Sequence, residues 1–492
     1  MGIKIFFSNT KGKGHEVVVV LCFLCSVLSV LCGEVETELA PMKKTERDAL
    51  FYGIQGFVGK WWNGSELYPD PCGWTPIEGV SCDNYDGFWY VTVLNIGLIH
   101  ENSLECISNA EFPQHLFELK HLQTLSFTNC FQYPHHLISI PTDKWESLAG
   151  SLLSLEFRSN PSLRGHVPLS FGSLTKLQSL VLVENGLTGE IPYNFGNFVG
   201  LKRLVLTDSG FTGRIPDSLG ELTKLLILDF SRNSLNGQLP FTFGGLTSLL
   251  KLDLSNNLLE GHIPSELRKL KNLTLLDIRN NKFKGGLSQP LQEMVSLEEM
   301  ALSNNPIGGN IMSFHWENLQ NLVSLDLSNM GLNGEIPESL TKLKKLRFLG
   351  LRNNNLSGEI SPKLATDLPC LSALYFNGNN LIGELKFSGW FYKKMGRRFG
   401  AWGNQNLCFP VELMATGHVP FGVKACQGEN EVILMDSKTR TNNNKLVGEN
   451  INYNSSFFVS LGTSTCGGVG GTLWGSLVKE IVITLLLLNV IL

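Results

Sequence analysis

The sequence lacks a strong net charge and lacks the residue patterns that mark an enzyme. Its 492 residues carry a formal net charge of -4 at pH 7, which argues against broad electrostatic binding to nucleic acid. The HExxH, GxSxG and P-loop motifs are absent, as is the protein-kinase set of a glycine-rich loop with HRD and DFG. These absences predict a protein without enzyme activity, without a cofactor and without a nucleic-acid partner.

Histidines and cysteines cluster in one region, but without the spacing of a compact zinc site. The members of this cluster are Cys106, His115, His121, Cys130, His135 and His136. Cys130 is expected to be either a buried thiol or the disulfide partner of Cys106. Cys370 has no evident partner and is expected to be a buried thiol. The sequence therefore predicts no metal site.

The apolar run near the N-terminus is too short for an ordinary membrane span. It extends from Val17 to Leu31 without a charge, follows three lysines, and is shorter than the roughly 20 residues that cross a bilayer. Small residues at Cys32 and Gly33 offer a cleavage point. Residues 1–33 are therefore predicted to be a signal peptide and not an N-terminal anchor.

A secreted chain enters an oxidising compartment, in which disulfides form and asparagines are glycosylated. The closely spaced pairs Cys72/Cys82 and Cys408/Cys426 are predicted to be disulfides that close short loops. The N-x-S/T sequons fit the same compartment and predict glycosylation at Asn63, Asn272, Asn355 and Asn454.

Leucines recur at a nearly constant spacing through the middle of the chain. The spacing is 24 residues along the series Leu177, Leu201, Leu225, Leu249, Leu273 and Leu297. Steps of 24 or 25 residues extend the series to Leu152, Leu322, Leu346 and Leu371. A longer unit begins at Leu122. This period predicts about 11 stacked units, because a repeat of this length cannot bury its own apolar face.

The unit that begins at Leu249 shows the chemistry of the repeat. Leu252 and Leu254 alternate with Asp253, as in a strand with one buried face. Asn257 follows the strand and is predicted to hydrogen-bond backbone groups that the sheet leaves unsatisfied. The same position holds Asn185, Asn233, Asn281, Asn305, Asn354 and Asn379 in other units, and Cys130, Ser209 and Met330 in three more.

This unit resembles the repeat of the plant extracellular leucine-rich-repeat family, LxxLxLxxNxLxGxIPxxLGxL. Residues 177–198, LQSLVLVENGLTGEIPYNFGNF, match that pattern almost position for position. Residues 57–82 and 406–408 resemble the N-terminal and C-terminal caps of the family. The resemblance implies an α/β repeat fold, a leucine-rich-repeat solenoid with plant-type 24-residue units and two caps.

The predicted organisation has six segments. They are a signal peptide (1–33), an N-terminal cap (34–115), leucine-rich repeats (116–385), a C-terminal cap (386–430), a polar linker (431–466) and a hydrophobic GPI-attachment signal or membrane anchor (467–492). Small residues, a spacer and an apolar end follow one another in the last segment, as in a GPI signal. A transmembrane helix there would place Lys479 and Glu480 inside the bilayer, so the lipid anchor is favoured.

The outward positions of the strands carry charges of both signs, and solenoids use such surfaces to hold peptides or proteins. Arg232, Asp253, Arg279 and Arg352 are predicted to bind the ligand. The resemblance implies a receptor-like protein on the extracellular face of the plasma membrane, which recognises a peptide or protein and signals through a partner receptor kinase in growth or in responses to microbes.

Two other functions fit the same solenoid. One is a cell-wall enzyme inhibitor of the polygalacturonase-inhibiting type, and the other is a passive wall or adhesion protein. The hydrophobic C-terminal segment favours the receptor-like protein over the inhibitor, since the inhibitors end soon after the C-terminal cap.

Overall fold

A computed structural model describes residues 41–98, 104–287 and 289–426. The predicted signal peptide, the sequon at Asn454, the polar linker and the hydrophobic C-terminal segment lie outside these residues. In the part of the chain that the structure describes, no helix is both long enough and apolar enough to cross a membrane.

The described chain begins with a helical cap and a hairpin. Its elements are α1 (Lys44–Val58), α2 (Gly64–Leu67), β1 (Val80–Tyr85) and β2 (Phe88–Gly97). Leu50, Ile54 and Phe57 of α1 are fully buried, as their spacing on one helix face predicts. Trp62 is buried with them, whereas Trp61 and Trp74 are exposed.

Short strands alternate with turns through the repeats and the C-terminal cap. These strands are β3 (Thr124–Thr128), β4 (Ile138–Ser139), β5 (Ser154–Gly165), β6 (Ser179–Glu190), β7 (Arg203–Thr207), β8 (Gly210–Arg214), β9 (Ile227–Asp229), β10 (Ser234–Gln238), β11 (Lys251–Asp253), β12 (Leu258–Gly261), β13 (Leu275–Asp277), β14 (Lys282–Phe283), β15 (Glu299–Ala301), β16 (Ser324–Asp326), β17 (Asn333–Glu335), β18 (Phe348–Gly350), β19 (Asn355–Ser357), β20 (Ala373–Tyr375), β21 (Ile382–Glu384), β22 (Phe399–Gly400), β23 (Asn406–Phe409) and β24 (Lys424–Ala425).

One parallel sheet, the main sheet, runs through all the units. In the described residues its order is β2, β3, β5, β6, β7, β9, β11, β13, β15, β16, β18, β20 and β22. The strands from β3 to β20 come one from each of the 11 predicted units, and β2 and β22 come from the segments predicted as caps. The predicted leucine-rich-repeat solenoid is therefore confirmed.

A second set of parallel strands follows the main-sheet strands. The end of β6 pairs with β8, and β10, β12 and β14 continue this second sheet. Smaller sheets join β17 to β19 and β21 to β23 and β24. Gly213 and Gly237 in the second sheet have φ of 75° and 76°, a left-handed conformation that glycine adopts without a steric penalty.

Short helices complete the units. The 3-10 helices are Gln114–Glu118, Trp145–Leu148, Leu169–Ser173, Tyr193–Asn197, Asp217–Glu221, Phe241–Gly245, Ser265–Lys269, Gln289–Glu293, Ile311–Ser313, Trp316–Asn318, Glu338–Lys342, Gly396–Arg398 and Val411–Thr416. The α-helices of this part are α3 (Lys363–Thr366) and α4 (Gly389–Met395). Many of the 3-10 helices directly follow a proline, which supplies the fixed φ that a helix start needs.

The core lies between the main sheet and these helices. The leucines that define the period, from Leu122 to Leu371, are at most 1% exposed. Buried asparagines at the ends of the main-sheet strands form an inner ladder, in which each side chain holds the preceding unit. Asn257 Nδ2 donates to the carbonyl of Phe230 at 2.9 Å, and its Oδ1 accepts from the amide of Leu235 at 3.0 Å. The predicted role of this asparagine is confirmed.

The inner ladder is longer than the sequence pattern indicated. Asn160 and Asn404 also occupy it, although neither was assigned to the position. Asn160 Oδ1 accepts from the amide of Cys130 at 2.9 Å, and Asn404 Oδ1 accepts from the amide of Leu381 at 3.0 Å. Since Asn404 lies in the segment predicted as the C-terminal cap, this cap begins as one further, degenerate unit.

Candidate ligand-binding face

The outward side chains of the main sheet form a continuous surface, called the open face. Its central row follows the strand register from one edge of the sheet to the other. The members of this row are Asn95, Ser126, Glu156, Val181, Val205, Asp229, Asp253, Asp277, Ala301, Asp326, Gly350, Tyr375 and Gly400. The row begins with polar residues, continues through Val181 and Val205 to three neighbouring aspartates, and ends with Tyr375 between two glycines.

The middle third is acidic, because three neighbouring strands place Asp229, Asp253 and Asp277 side by side. Each carboxylate is oriented by its own strand end. The Asp253 Oδ1 atom accepts from the Ser255 hydroxyl at 2.8 Å and from the Ser255 amide at 3.1 Å. Ser231 holds Asp229 in the same way. These short local hydrogen bonds fix the carboxylates as a row that faces outward.

Two cations balance part of this negative charge. Lys251 Nζ lies 2.9 Å from Asp229 Oδ2 and 3.7 Å from Asp253 Oδ2, so it bridges two strands. Arg279 lies 2.9 Å from Asp277 Oδ2, with only 16% of its side chain exposed. Because these pairs are largely screened from water, they interact more strongly than exposed ion pairs do.

The pKa of Asp277 is raised to about 7, chiefly by burial and also by the neighbouring Asp253, while Arg279 opposes the rise. Burial also raises the pKa of Asp253, with a further contribution from Asp229 and an opposing one from Lys251. Protonation in the middle of the open face therefore changes near neutral pH, well above the ordinary range of an aspartate.

The other charged groups of the middle third respond to the same surroundings. Burial lowers the pKa of Lys251, but the attraction of Asp229 and its neighbours outweighs this and leaves the pKa raised. Burial raises the pKa of Glu299, and Glu298 raises it further. Lys251 is therefore held as a cation, whereas the pKa values of Asp253, Asp277 and Glu299 are raised above those of ordinary carboxyl groups.

The predicted ligand-binding residues occupy different environments. Arg232 does not lie on a strand surface: it follows β9 in a left-handed conformation, with φ of 57°, and its exposed side chain pairs with Asp208 at 3.2 Å. Arg279 does lie on the sheet, but its ion pair with Asp277 is mostly buried. The expectation that both arginines are freely accessible surface groups is therefore wrong for Arg279.

Asp253 and Arg352 lie where the strand alternation predicts. Asp253 is in the central row, and Arg352 follows β18, two residues beyond Gly350 of that row. Arg352 is half-buried, and its carbonyl accepts from the Asn329 amide at 3.0 Å. Among the four residues, Arg352 and Asp253 thus share the open face with Arg279, while Arg232 lies at its rim.

The N-terminal third of the central row combines polar and apolar residues. Its members are Asn95, Ser126, Glu156 and Val181, and Val205 follows them. Val181 and Val205 are buried by their neighbours. The flanking charges are Arg158, which donates to Glu156 at 2.8 Å, and Arg203, whose pKa is lowered by burial.

The C-terminal third contains aromatic side chains that the sequence analysis did not place on the face. Phe348 and Tyr375 lie 6.0 Å apart between ring centroids. Gly350 and Gly400 occupy the central row on either side of Tyr375, and neighbouring side chains, including the Tyr375 ring over Gly400, fill the space beside them. The repeat pattern contains this signal, since Tyr375 occupies the position that Asp253 holds in its own unit.

A second asparagine ladder, the outer ladder, runs along the rim of the open face. Asn280 Nδ2 donates to Asn256 Oδ1 at 2.7 Å, Asn304 Nδ2 to Asn280 Oδ1 at 2.6 Å, and Asn329 Nδ2 to Asn304 Oδ1 at 2.5 Å. Each of these asparagines has a φ between 54° and 57°, which asparagine tolerates better than most residues. The sequence analysis missed this ladder.

Disulfides account for the cysteines of the described chain. The two expected disulfides, Cys72–Cys82 and Cys408–Cys426, are present. A third joins Cys106 to Cys130, so Cys130 is not a free core thiol. Cys370 is also disulfide-bonded, and the expectation of a buried thiol is therefore wrong there.

The loose histidine and cysteine cluster does not form a metal site. Both of its cysteines are in one disulfide, and His121 packs against the rings of Tyr85 and Tyr90 at 4.6 Å and 4.1 Å. Within residues 41–98, 104–287 and 289–426, no group of three or more histidines, cysteines, aspartates or glutamates could hold a metal ion.

The predicted glycosylation sites within the described residues are all exposed: Asn63, Asn272 and Asn355. Asn272 Nδ2 donates to the carbonyl of Thr247 at 3.0 Å. Asn63 Oδ1 accepts from the Ser65 hydroxyl at 2.8 Å. Exposure leaves room for a glycan at each site.

The stacked units, the inner asparagine ladder and the open face define a leucine-rich-repeat protein of the plant type. Residues 151–380 match the family model described as a leucine-rich repeat region. The chain belongs to the plant leucine-rich-repeat receptor-like proteins. It is 70% identical over 411 residues to Piriformospora indica-insensitive protein 2 of Arabidopsis thaliana, which covers 82% of this chain and 96% of that protein.

A second relative and several solved structures agree with this family. Receptor like protein 29 of Arabidopsis thaliana is 37% identical over 166 residues, or 33% of this chain and 34% of that protein. The PEPR1–AtPEP1 structure has a TM-score of 0.56 at 26% identity, over 75% of this chain and 56% of that chain. The Arabidopsis HAESA structure, in complex with the peptide hormone IDA and the co-receptor SERK1, has a TM-score of 0.54 at 27% identity.

The match to HAESA covers 75% of this chain and 62% of that chain. The chain spans about half the length of the first receptor structures that it matches, at 46%, 52% and 56% of those chains.

Proposed function

We propose that the chain is a cell-surface receptor-like protein whose open face binds a peptide or protein ligand and whose signal passes through a membrane-bound receptor kinase. The open face corresponds to the concave surface that solenoids use for binding. A lipid anchor holds the chain on the extracellular face of the plasma membrane, and the chain itself performs no catalysis. The HAESA complex, with its peptide and co-receptor, supports this division of roles.

The observation that carries the proposal is the ordered change of chemistry along the central row. Val181 and Val205 precede the carboxylates of Asp229, Asp253 and Asp277, and Tyr375 follows them. Neighbouring strands are about 4.8 Å apart, so a ligand laid across them meets one row residue per strand. Such a row distinguishes one direction and one sequence of an extended ligand from others.

The four predicted residues have different roles in ligand binding. Arg352 and Asp253 contact the ligand from the floor of the face, and Arg232 contacts it at the rim. Arg279 acts mainly through Asp277, because their ion pair is mostly buried. The middle third favours a ligand with a cationic group at its centre, since the local carboxylates outnumber Lys251 and Arg279.

The test is capture of a receptor kinase by the membrane-anchored chain in the presence and absence of plant extracellular fluid, with the captured kinase identified by mass spectrometry. The Arg352→Glu and Asp253→Lys variants are compared with Arg268→Glu, which changes an exposed arginine on a 3-10 helix. We expect the first two to lose capture, because reversed charges repel a complementary ligand, and the control to keep it.

Equal capture by all three variants would move the binding site away from the open face. The rival function as a cell-wall enzyme inhibitor makes a different prediction. In that case the captured protein is a secreted wall hydrolase, its activity falls on binding, and no kinase is recovered.

The anchor and the glycans are tested separately. We expect phosphatidylinositol-specific phospholipase C to release the chain from membranes, and N-glycans at Asn63, Asn272, Asn355 and Asn454. A chain that stays on the membrane and keeps an epitope placed after Leu492 has no lipid anchor of this kind. Peptide mapping after glycosidase treatment shows which of the four sequons carried a glycan.

A further inference from the structure

Cys370 lies in the last repeat, between α3 and β20. It directly precedes Leu371, one of the leucines that define the period. Leu368 and Leu371 on either side of it are each 1% exposed, whereas Cys370 itself is half-buried. The cysteine therefore lies at the boundary of the core, where another segment of the chain can reach it from the surface.

The equivalent position of the other repeats is open to solvent in the same way. In each repeat it is the residue that precedes the first periodic leucine. It holds His121, Ser151, Lys176, Gly200, Lys224, Ser248, Asn272, Ser296, Asn321 and Lys345, all of which are half-buried or exposed. Since no repeat buries this position, the disulfide partner of a cysteine there has to approach from outside the stacked core.

Cys370 is disulfide-bonded, and its partner is not among the described residues. The other cysteines of the described residues pair with one another, in the disulfides Cys72–Cys82, Cys106–Cys130 and Cys408–Cys426. The cysteines that remain in the sequence are Cys22, Cys25, Cys32 and Cys466. The partner of Cys370 is therefore one of these four.

Chain length excludes Cys32. The described chain begins at Pro41, whose carbonyl accepts from the Trp89 amide in β2 at 3.3 Å, so this end of the chain is fixed beside the first strand of the main sheet. The nine peptide steps from Cys32 to Pro41 extend at most about 32 Å. The main sheet from β2 to β20 measures roughly 50 Å at the usual strand spacing, so Cys32 does not reach Cys370.

Of the other three cysteines, Cys22 and Cys25 lie in the apolar run of the predicted signal peptide, so cleavage removes them. Cys466 remains. Residues 427–465 join it to the last described residue and can extend to roughly 130 Å. The described chain ends close to the last repeat, because β24 pairs with β23 and β23 pairs with β21. Chain length therefore permits Cys466 to reach Cys370.

We propose that Cys370 and Cys466 form a disulfide that fastens the C-terminal segment to the last repeat. Removal of the signal peptide leaves eight cysteines, an even number, of which six form the three disulfides described above. Cys370 and Cys466 complete the fourth pair. In forming the bond, the two thiols pass two electrons and two protons to the disulfide of an oxidoreductase in the secretory pathway, which becomes a dithiol.

The disulfide also determines where the repeats meet the membrane, a consequence that rests on the lipid anchor of the proposed function. Cys466 lies in the run of small residues 462–471 and directly precedes Gly467 and Gly468. A GPI signal is cut and joined to its lipid at such small residues. With the disulfide formed, the lipid is held within a few residues of the last repeat, and residues 427–465 no longer set the distance between the repeats and the membrane.

The test inserts a site for a specific protease after Asn442 and an epitope after Asn444 of the full-length chain, which is produced in plant cells. The cleaved protein is separated by electrophoresis with and without reductant, and the epitope is detected. We expect the epitope fragment of the wild type to stay joined to the repeats until reductant is added. Cys370→Ser should release the fragment without reductant, because the bond that holds it is missing.

Two further variants make the result specific. Lys345→Ser changes the equivalent residue of the preceding repeat and is the matched control, so its fragment should stay joined as in the wild type. Cys466→Ser leaves the described repeats unchanged, so its fragment should separate even if Cys370→Ser folds poorly. Melting temperatures of all the variants are compared first.

The proposal is overturned if the epitope fragment of the wild type separates without reductant, or if it stays joined in Cys466→Ser. A GPI cut before Cys466 gives the first of these results, since it removes the cysteine. Loss of kinase capture, or failure of phospholipase C to release the chain, contradicts the proposed function and leaves the electrophoresis unaffected.

Discussion

Neighbouring asparagines in the same units have opposite roles in the inner and outer ladders. Asn281 is buried and bonds the backbone of the preceding unit, whereas Asn280, one residue earlier, is half-exposed and bonds only other asparagine side chains. A backbone group that loses a buried partner stays desolvated, while an exposed amide that loses a partner turns to water. Burial of the partner, and not the number of hydrogen bonds, therefore decides what a polar residue contributes to stability.

The largest effect is expected for Asn281→Ala. This change removes the acceptor of the Leu259 amide and the donor to the carbonyls of Leu254 and Ile278. Each buried group left unsatisfied costs about 1–3 kcal/mol, so the free energy of unfolding should fall by at least about 2 kcal/mol in urea titrations. A loss no greater than that of Asn280→Ala would contradict the comparison.

A smaller difference in the free energy of unfolding is expected between two arginines, one with a buried ion pair and one with an exposed ion pair. Arg279→Ala removes a mostly buried partner of Asp277 and should cost more than about 1 kcal/mol, because a hydrogen bond to a buried charge contributes about 1.5–3 kcal/mol. Arg232→Ala removes an exposed pair with Asp208 and should cost about 0.5 kcal/mol or less. Urea titration of both variants at pH 7 gives the ranking, and equal losses would show that burial does not separate the two pairs.

The burial of Asp277 also predicts that the stability of the chain depends on pH. Since the pKa of Asp277 is raised to about 7 from 3.8, the folded chain binds its proton more tightly than the unfolded chain does. Stability therefore falls as pH rises from about 4 to about 7. Asp277→Asn should remove part of this fall when urea midpoints are compared at pH 5 and pH 7. Parallel pH profiles for the variant and the wild type would show that Asp277 is not the group responsible.

The smallest effect is expected in the outer ladder. Asn280→Gly should change stability by no more than about 0.5 kcal/mol, as surface changes usually do, because glycine adopts the left-handed backbone of this position freely. Asn280→Ala should cost about 1–2 kcal/mol through that backbone alone. Thermal unfolding of the pair separates the backbone effect from the hydrogen bonds, and equal melting temperatures would place the contribution in the side-chain ladder.

The sequence predicted the inner ladder because Asn257 and its equivalents recur at a fixed position in a pattern that also fixes the strand. It did not predict the outer ladder, since the residue there varies from Asp208 and Arg232 to Asn280 and its role depends on a left-handed turn. Arg279 was correctly placed on the open face. Its burial depends on side chains that lie one unit away in either direction, which no local pattern reports.

Two further features depend on contacts between units and so could not be predicted from the local sequence. They are the side chains over the glycines of the second sheet and the disulfide partner of Cys130. The side chains that lie over Gly189 and Gly213, His166 and Glu190, come from the preceding units. The repeat spacing places Cys130 at the position that asparagine holds in other units. The sequence allowed either a buried thiol or a disulfide with Cys106 there. Only the fold brings it to Cys106, one turn away along the solenoid.

The inner ladder also gives the molecule a direction of assembly. The asparagine of each unit satisfies the backbone of the unit before it, as Asn305 does for the Phe283 amide and the Ile278 carbonyl. A ribosome releases the N-terminal units first, so a unit whose successor carries this asparagine remains unfinished until that successor has been synthesised. Asn404 ends this dependence, because its side chain completes the last repeat from within the C-terminal cap. A chain interrupted before Asn404 would expose one incomplete turn wherever the missing next unit carries the ladder asparagine.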